Sequence, residues 1–266
     1  MATLLSGTAF ITGAAQGIGL YTAYAFAKHG IQRLALTDFN ADVLATAVKE
    51  LQAKYPDVEI LQLQLDVRDG QQVKSAFEEV VKKFGRLDIA VNNAGIRGPI
   101  DNTHLVDEAD YANLIQTNLN GVWRCEREEL AIFMKQENKG IRHGRGVIIN
   151  TASMFGLFGP PRGLPHTAYT AAKHGVVGMT KADAVQYGEH GIRINAICPG
   201  FAKTALTNSV LAQGDATPFA AEIQRCSMKR AGEVDEISDC IVFLASPMSS
   251  YMQGAVLVVD GGFTLT

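Results

Sequence analysis

The chain has 266 residues, 47% apolar and 19% charged, with 24 Lys and Arg against 27 Asp and Glu for a net charge of −3. That length and composition suffice for a sizeable core in one α/β domain, taken as residues 1–266. The mild acidity and the lack of any basic run argue against a nucleic-acid or membrane-surface partner. No apolar stretch reaches the ~20 residues needed to cross a bilayer and no leader pattern opens the chain, so a cytoplasmic protein is expected. Cys125, Cys198, Cys226 and Cys240 show no metal-ligand or C-x-x-C spacing, which predicts reduced thiols and no metal.

A short apolar run over 8–11 is followed by Thr12-Gly13-Ala14-Ala15-Gln16-Gly17-Ile18-Gly19 and then by a helical pattern ending near Gly30. This reads as strand, glycine turn and helix. Gly13 can take a φ that side chains forbid, and Gly17 and Gly19 admit a close anion or strand. The helix start turns free N–H groups toward that anion. Such a turn alone is equally consistent with purely local needs. The next strand, 33–38, ends in Asp38, 19 residues past Gly19. That is near the ~20-residue offset at which an acid meets the ribose hydroxyls of a dinucleotide. A carboxylate there repels a 2′-phosphate, so NAD(H) is expected over NADP(H).

Downstream, 40–54 has a helical period with Asn40 as N-cap, 59–67 reads as strand, 71–84 as helix and 87–91 as strand, ending in Asn92-Asn93-Ala94-Gly95. Residues 107 to about 139 are helical, with a break near 118–121, where an Asn such as Asn118 either bends a helix or serves chemistry. A fifth strand over 146–153 ends at Ser153. A helix then carries Tyr169 and Lys173, four apart and therefore on one face, with Val176, Val177, Met179, Ala182 and Val185 expected inward. That pair alone fits a surface phenol beside a solvated ammonium as well as a functional couple. Strands over 193–198 and 255–260 complete the set. The β-α alternation predicts a doubly wound, seven-stranded parallel sheet with helices on both faces, a Rossmann fold.

Thr12-Gly13-(three residues)-Gly17-Ile18-Gly19, Asn92-Asn93-Ala94-Gly95, Asn118, Ser153, Tyr169-(three residues)-Lys173 and Pro199-Gly200, in this order, resemble the short-chain dehydrogenase/reductase family. The resemblance runs from about Thr8 to the closing Asp260-Gly261-Gly262. It implies Tyr169 as the acid/base on the substrate oxygen, with Lys173 lowering the phenol pKa and bonding the nicotinamide ribose. Ser153 would bond the reacting oxygen, and Asn118 would hold a water in a proton relay to the lysine. Asp38 resembles the acid that selects NAD(H), and Gln16 stands where some NADP(H)-preferring members are basic. Asp66 and Val67 look like adenine contacts, Asn93, Ala94 and Gly95 like the wall beside the adenine ribose, and Pro199, Gly200, Ala202 and Thr204 like the segment fixing the carboxamide.

One departure stands out. Ser153 and Tyr169 are 16 positions apart, longer than the family spacing, and the extra residues fall in 156–166. That stretch is either a shaped pocket wall or a tolerated surface insertion; if it displaces Ser153, that residue's role falls first. A substrate lid is expected over about 204–228. With Ile96, Phe155, Phe158, Phe201 and Leu206 it implies an apolar pocket and a medium-sized cyclic or hydrophobic secondary alcohol or ketone as substrate. Arg97, Arg162, His166 and Arg225 are candidates for recognising an anionic group on it. The alternatives are NADP(H)-dependent ketone reduction, a non-redox epimerase or cyclase, and a catalytically silent dinucleotide-binding scaffold. Family members commonly assemble as tetramers, so a homotetramer or homodimer is expected, with Trp123, Val176, Val177, Met179 and the last strand as contact candidates.

Overall fold

The computed structural model describes residues 3–204 and 218–265; the expected lid residues Leu206, Val210 and Leu211 lie outside them. Seven strands, β1 (Thr8–Thr12), β2 (Arg33–Asp38), β3 (Glu59–Gln64), β4 (Ile89–Asn92), β5 (Gly146–Thr151), β6 (Ile192–Pro199) and β7 (Val256–Val259), form one sheet. Every pairing is parallel, in the order β3-β2-β1-β4-β5-β6-β7. The order reverses between β1 and β4. Their carboxyl ends therefore diverge into a crevice, the place where open α/β sheets bind ligands.

Strand alternation sorts the core into two layers. Ala9 and Ile11 of β1, with Leu34 and Leu36 of β2, pack under α1 (Gly17–Lys28), α2 (Ala41–Lys54) and, as numbered here, α8 (Val234–Ala245). Phe10 and Ala35 point the other way, against α3 (Gly70–Phe84) and α5 (Gly121–Phe133). The helix starts are capped as their residues suggest: the Asn40 side chain accepts from Val43 N at 3.1 Å and Asp69 from Gln71 N at 2.8 Å. α3 ends at Gly85, in the left-handed region that glycine adopts without penalty.

Three expectations are corrected. The long helical stretch is α4 (Glu108–Ile115), a π turn (Gln116–Asn120) and α5, which stops at Phe133 rather than near 139. On α6 (Thr167–Tyr187), Val176 and Val177 are buried, but Val185 is 77% exposed and Ala182 also faces outward. The inward stripe continues instead through Thr180 and Ala184, three and four positions on, as a 3.6-residue period requires. Val176 and Val177 are thus spent on this chain's own core, which removes them as contacts to another copy.

Between β4, β5 and α5 lies a buried polar seam that no sequence pattern signals. Asn92 donates to Glu129 and Asn150 at 3.0 Å each, and Asn150 donates to Glu126 and Thr180 at 3.0 Å each. Burial pushes the Glu126 carboxyl up to about 7 and that of Glu129 well above its usual range, so both favour the protonated form. No helix among the described residues is long and apolar enough to cross a membrane.

Candidate active site

A cleft of about 480 Å³ runs along the carboxyl edge of the sheet, from the β2 and β3 ends across the glycine turn to α6. Ala14 N donates to Thr37 O at 2.9 Å, tying the turn to the end of β2. Gly13 sits at φ +64° with its Cα facing Ala94, so a Cβ would come within 2.9 Å of Ala94 Cα. Gly19 lies behind the turn: a Cβ there would stand 2.2 Å from Gly13 O. Gly13, Gln16, Gly17 and Ile18 line the cleft, whereas Gly19, expected as a ligand contact, does not and serves packing.

The walls reuse the strand ends. The buried Thr12 hydroxyl accepts from Asn93 N and Ala94 N, both at 2.9 Å, and Asn93 Nδ2 donates back to Thr12 O at 3.1 Å and Gly13 O at 3.2 Å. Asn93, Ala94 and Gly95 do line the cleft, but the Asn93 amide is turned into the clamp. Asp38 takes Ala15 N at 3.1 Å on one oxygen and Asn40 N at 3.0 Å on the other, which aims its carboxylate across the glycine turn. Asp66 and Val67 line the far end. Arg68 grips Asp66 there through Nε at 2.9 Å and a terminal nitrogen at 2.6 Å, holding that carboxyl below its usual pKa, and also reaches Asn113 at 2.7 Å. The Arg68 guanidinium lies 5.6 Å from the Phe39 ring centre. Phe39, Arg68, Asn113 and Thr117 line the cleft and were missed from the sequence. Position 39, beside the singled-out acid, was the available signal.

At the other end, Ser153, Tyr169 and Lys173 converge. Ser153 follows β5; its hydroxyl accepts from Phe155 N at 3.2 Å and, standing beside the Tyr169 phenol, favours the phenolate. The longer 153-to-169 connection has therefore not displaced it. The Lys173 ammonium, 4% exposed, donates to Thr151 O at 2.7 Å and lies 5.5 Å from the Tyr169 ring centre. Burial lowers Lys173 to about 8 and raises the Tyr169 phenol, a rise that the Ser153 hydrogen bond opposes. Burial thus opposes the phenolate that the resemblance implies, and Ser153 favours it.

Asn118 is placed differently from expectation. Its fully buried side chain accepts from Ile96 N and donates to Ile96 O, both at 2.8 Å, so the π turn uses this amide to pin the loop after β4. It does not line the cleft. Pro199, Gly200, Ala202 and Thr204 line the cleft, Thr204 facing Gly17 of the glycine turn. Gly200 packs there so closely that a Cβ would fall 2.6 Å from Asp260 Cα.

Phe155 and Phe201 belong to an aromatic cluster next to Tyr169 rather than to the cleft wall. Phe155 meets Phe158 and Phe201 edge-on at 5.8 and 6.2 Å, and Phe201 meets Phe219 and Phe263 at 5.2 and 5.3 Å. These rings come from the β5–α6 connection, the segments after β6 and β7, and α7 (Pro218–Arg225). Phe158 and the buried Leu164 root the 156–166 stretch in this cluster, which favours the shaped-wall reading of it. Two of the four cationic candidates are committed elsewhere: Arg225 pairs with Glu222 at 2.9 Å, and His166 bonds Arg97 O at 2.7 Å.

The cleft fits a dinucleotide on its own chemistry. Its glycine floor leaves an anion room beside free N–H groups, and an oriented carboxylate faces it. A buried Thr151 hydroxyl near Lys173 is left without a partner. A family model described as enoyl-(acyl carrier protein) reductase matches residues 13–264. The levodione reductase of Leifsonia aquatica is 37% identical over 257 residues, covering 95% of this chain and 92% of its own. The cyclohexanol dehydrogenase of Acinetobacter sp. (strain SE19) is 33% identical over 262 residues, covering 96% and 94%. A crystal structure of levodione reductase superimposes with a TM-score of 0.88 at 35% identity, over 98% of each chain. With its seven-stranded parallel sheet, glycine turn and Ser153, Tyr169 and Lys173 cluster, this chain belongs to the short-chain dehydrogenase/reductase family of nicotinamide-dependent oxidoreductases.

Proposed function

We propose that the protein transfers hydride between NAD(H) and a secondary alcohol or ketone of a medium-sized, apolar ring compound. The carrying observation is the convergence of the Ser153 hydroxyl, the Tyr169 phenol and the Lys173 ammonium at one end of the cleft. The nicotinamide supplies the hydride acceptor or donor. Tyr169 removes the alcohol proton during oxidation and returns it during reduction. Ser153 bonds the same oxygen and offsets its developing charge.

Lys173 has a second task. At about 8, it holds its proton loosely enough to exchange with solvent near neutral pH, and its charge favours the phenolate once a cationic ring enters beside it. Because the Asn118 amide is committed to Ile96, any water in that relay would be held by its main chain. Asp38 supports NAD(H): a 2′-phosphate would stand against its carboxylate, and Gln16 offers no compensating cation. Arg68 is already paired with Asp66.

The substrate class rests on the aromatic cluster beside Tyr169; Arg225, whose guanidinium lies 5.9 Å from the Phe263 ring centre, is paired with Glu222. The relative named for cyclohexanol supports a ring alcohol. Assembly through the α5 and α6 face is proposed as well, since Trp123 is 48% exposed beside Leu130, Met134 and Tyr187. Sedimentation should then show a dimer or tetramer at micromolar concentration, and a monomer would refute it. The function is tested by incubating the protein with NAD+ or NADP+ and a panel of cyclic secondary alcohols while following absorbance of the reduced cofactor. NAD+-dependent turnover is expected, and equal or better turnover with NADP+ would overturn the cofactor assignment.

A further inference from the structure

The 156–166 stretch ends on His166, a residue that the proposed chemistry leaves without a task. It is 6% exposed, immediately precedes α6, and lies three positions before Tyr169. Its ring lies flat on the Tyr169 ring, with centroids 4.6 Å apart and planes 6° from parallel. Its Nε2 meets Arg97 O at 2.7 Å. A carbonyl only accepts, so Nε2 carries the proton and the neutral ring has its lone pair on Nδ1. Burial and the nearby Arg97 charge both oppose a second proton, which keeps the imidazole neutral.

The loop that holds Arg97 is fixed from a second side. Ile96, its neighbour, takes both hydrogen bonds of the Asn118 amide, and a Cβ on Gly98 would fall 2.1 Å from Leu114. Arg97 O is therefore a stationary acceptor, and the imidazole that donates to it is a stationary plate. A phenol turns about two side-chain torsions, and a ring flush against one face removes much of that freedom. Ser153 stands beside the hydroxyl end of Tyr169. Tyr169 also packs against the aromatic cluster and against Leu114 and Ala172, and the His166 ring lies flat along one of its faces.

We propose that His166 is a positioning residue for Tyr169: stacked on the phenol and anchored to Arg97 O, it sets the ring plane in which the hydroxyl meets the substrate oxygen. This rests on the assignment of Tyr169 as the proton-transfer group. It also gives the 156–166 stretch a function, since Phe158 and Leu164 hold one part of it in the aromatic cluster and His166 brings its end onto the reacting residue.

The test separates the ring from the hydrogen bond. His166→Phe keeps a flat ring and loses the donor, His166→Gln keeps a donor and loses the ring, and His166→Ala loses both. Thermal melts confirm that each variant is folded. With NAD+ and cyclohexanol, kcat of His166→Ala should fall about tenfold, the scale at which small misplacements act, while KM and the NAD+ Kd stay within about twofold. His166→Phe should recover most of that loss, and His166→Gln should not.

Unchanged kcat in His166→Ala, rescue by Gln rather than Phe, or a change confined to KM would each overturn the proposal. Tyr169→Phe run alongside separates the two levels. If it binds NAD+ and is inactive while the His166 variants match the wild type, only the positioning role fails. If Tyr169→Phe turns over normally, the assignment beneath that role fails instead.

Discussion

The two ends of the cleft are built by different means. At the cofactor end the glycine turn and Asp38 are held by bonds between backbone and short side chains, from residues next to strand ends: Thr12 to Asn93 and Ala94, Asp38 to Ala15 and Asn40. At the substrate end, rings from Phe155, Phe158, Phe201, Phe219 and Phe263 meet edge to face across more than 100 positions of chain. A clamp of short polar contacts has one geometry and suits a ligand that does not vary. A cluster of rings can be resized one side chain at a time without disturbing the sheet, which suits a site whose substrate differs between relatives.

The largest expected effect falls where the two ends meet. Tyr169→Phe should lower kcat about a thousandfold, within the range for a lost general acid/base, with the NAD+ Kd unchanged by direct titration. Next is the cofactor end. Thr12→Val removes the acceptor of two backbone N–H groups and should cost about 2 kcal/mol in chemical denaturation, weakening NAD+ binding as Asn93 and Ala94 shift. Asp38→Ala should narrow the preference for NADH over NADPH by about tenfold, measured as the ratio of Kd values, by removing like-charge repulsion.

The substrate end should respond in the opposite sense. Phe263→Leu ought to raise KM for a cyclic alcohol about threefold, a change of the size that hydrophobic pocket contacts produce, while leaving NAD+ affinity alone. A cofactor defect in that variant would blur the division between the two ends. The smallest effect concerns the seam beneath both. The Glu126 carboxyl, raised by burial from the ordinary 4.5 to about 7, favours the folded state while protonated. Its contribution is complete below pH 4.5 and is lost as pH rises from there through 7. Glu126→Gln does not titrate, so its melting temperature should equal or exceed that of the wild type at pH 8 and lose that advantage by pH 5.

Legibility followed the same division. Strand, glycine turn and helix could be read because period and backbone need are local: Gly13 at positive φ and the Asn40 cap depend only on near neighbours. Ser153, Tyr169 and Lys173 could be read because their spacing resembles a family. The Asn92, Asn150, Glu126 and Glu129 seam could not, since nothing in a helical pattern tells a buried glutamate from an exposed one. Nor could the roles of Asn118 and His166, whose partners Ile96 and Arg97 are 22 and 69 positions away. That burial raises the Tyr169 phenol could not be read either, because a helical period does not show depth of burial.

The central claim is hydride transfer from a ring alcohol to NAD+, and isotope transfer tests it most directly. Cyclohexanol carrying deuterium at the carbinol carbon is incubated with the protein and NAD+, and the reduced cofactor is weighed by mass spectrometry. The account predicts NADH that carries the deuterium, formed in step with cyclohexanone. NADH without the label, or substrate converted with no reduced cofactor formed, would contradict it.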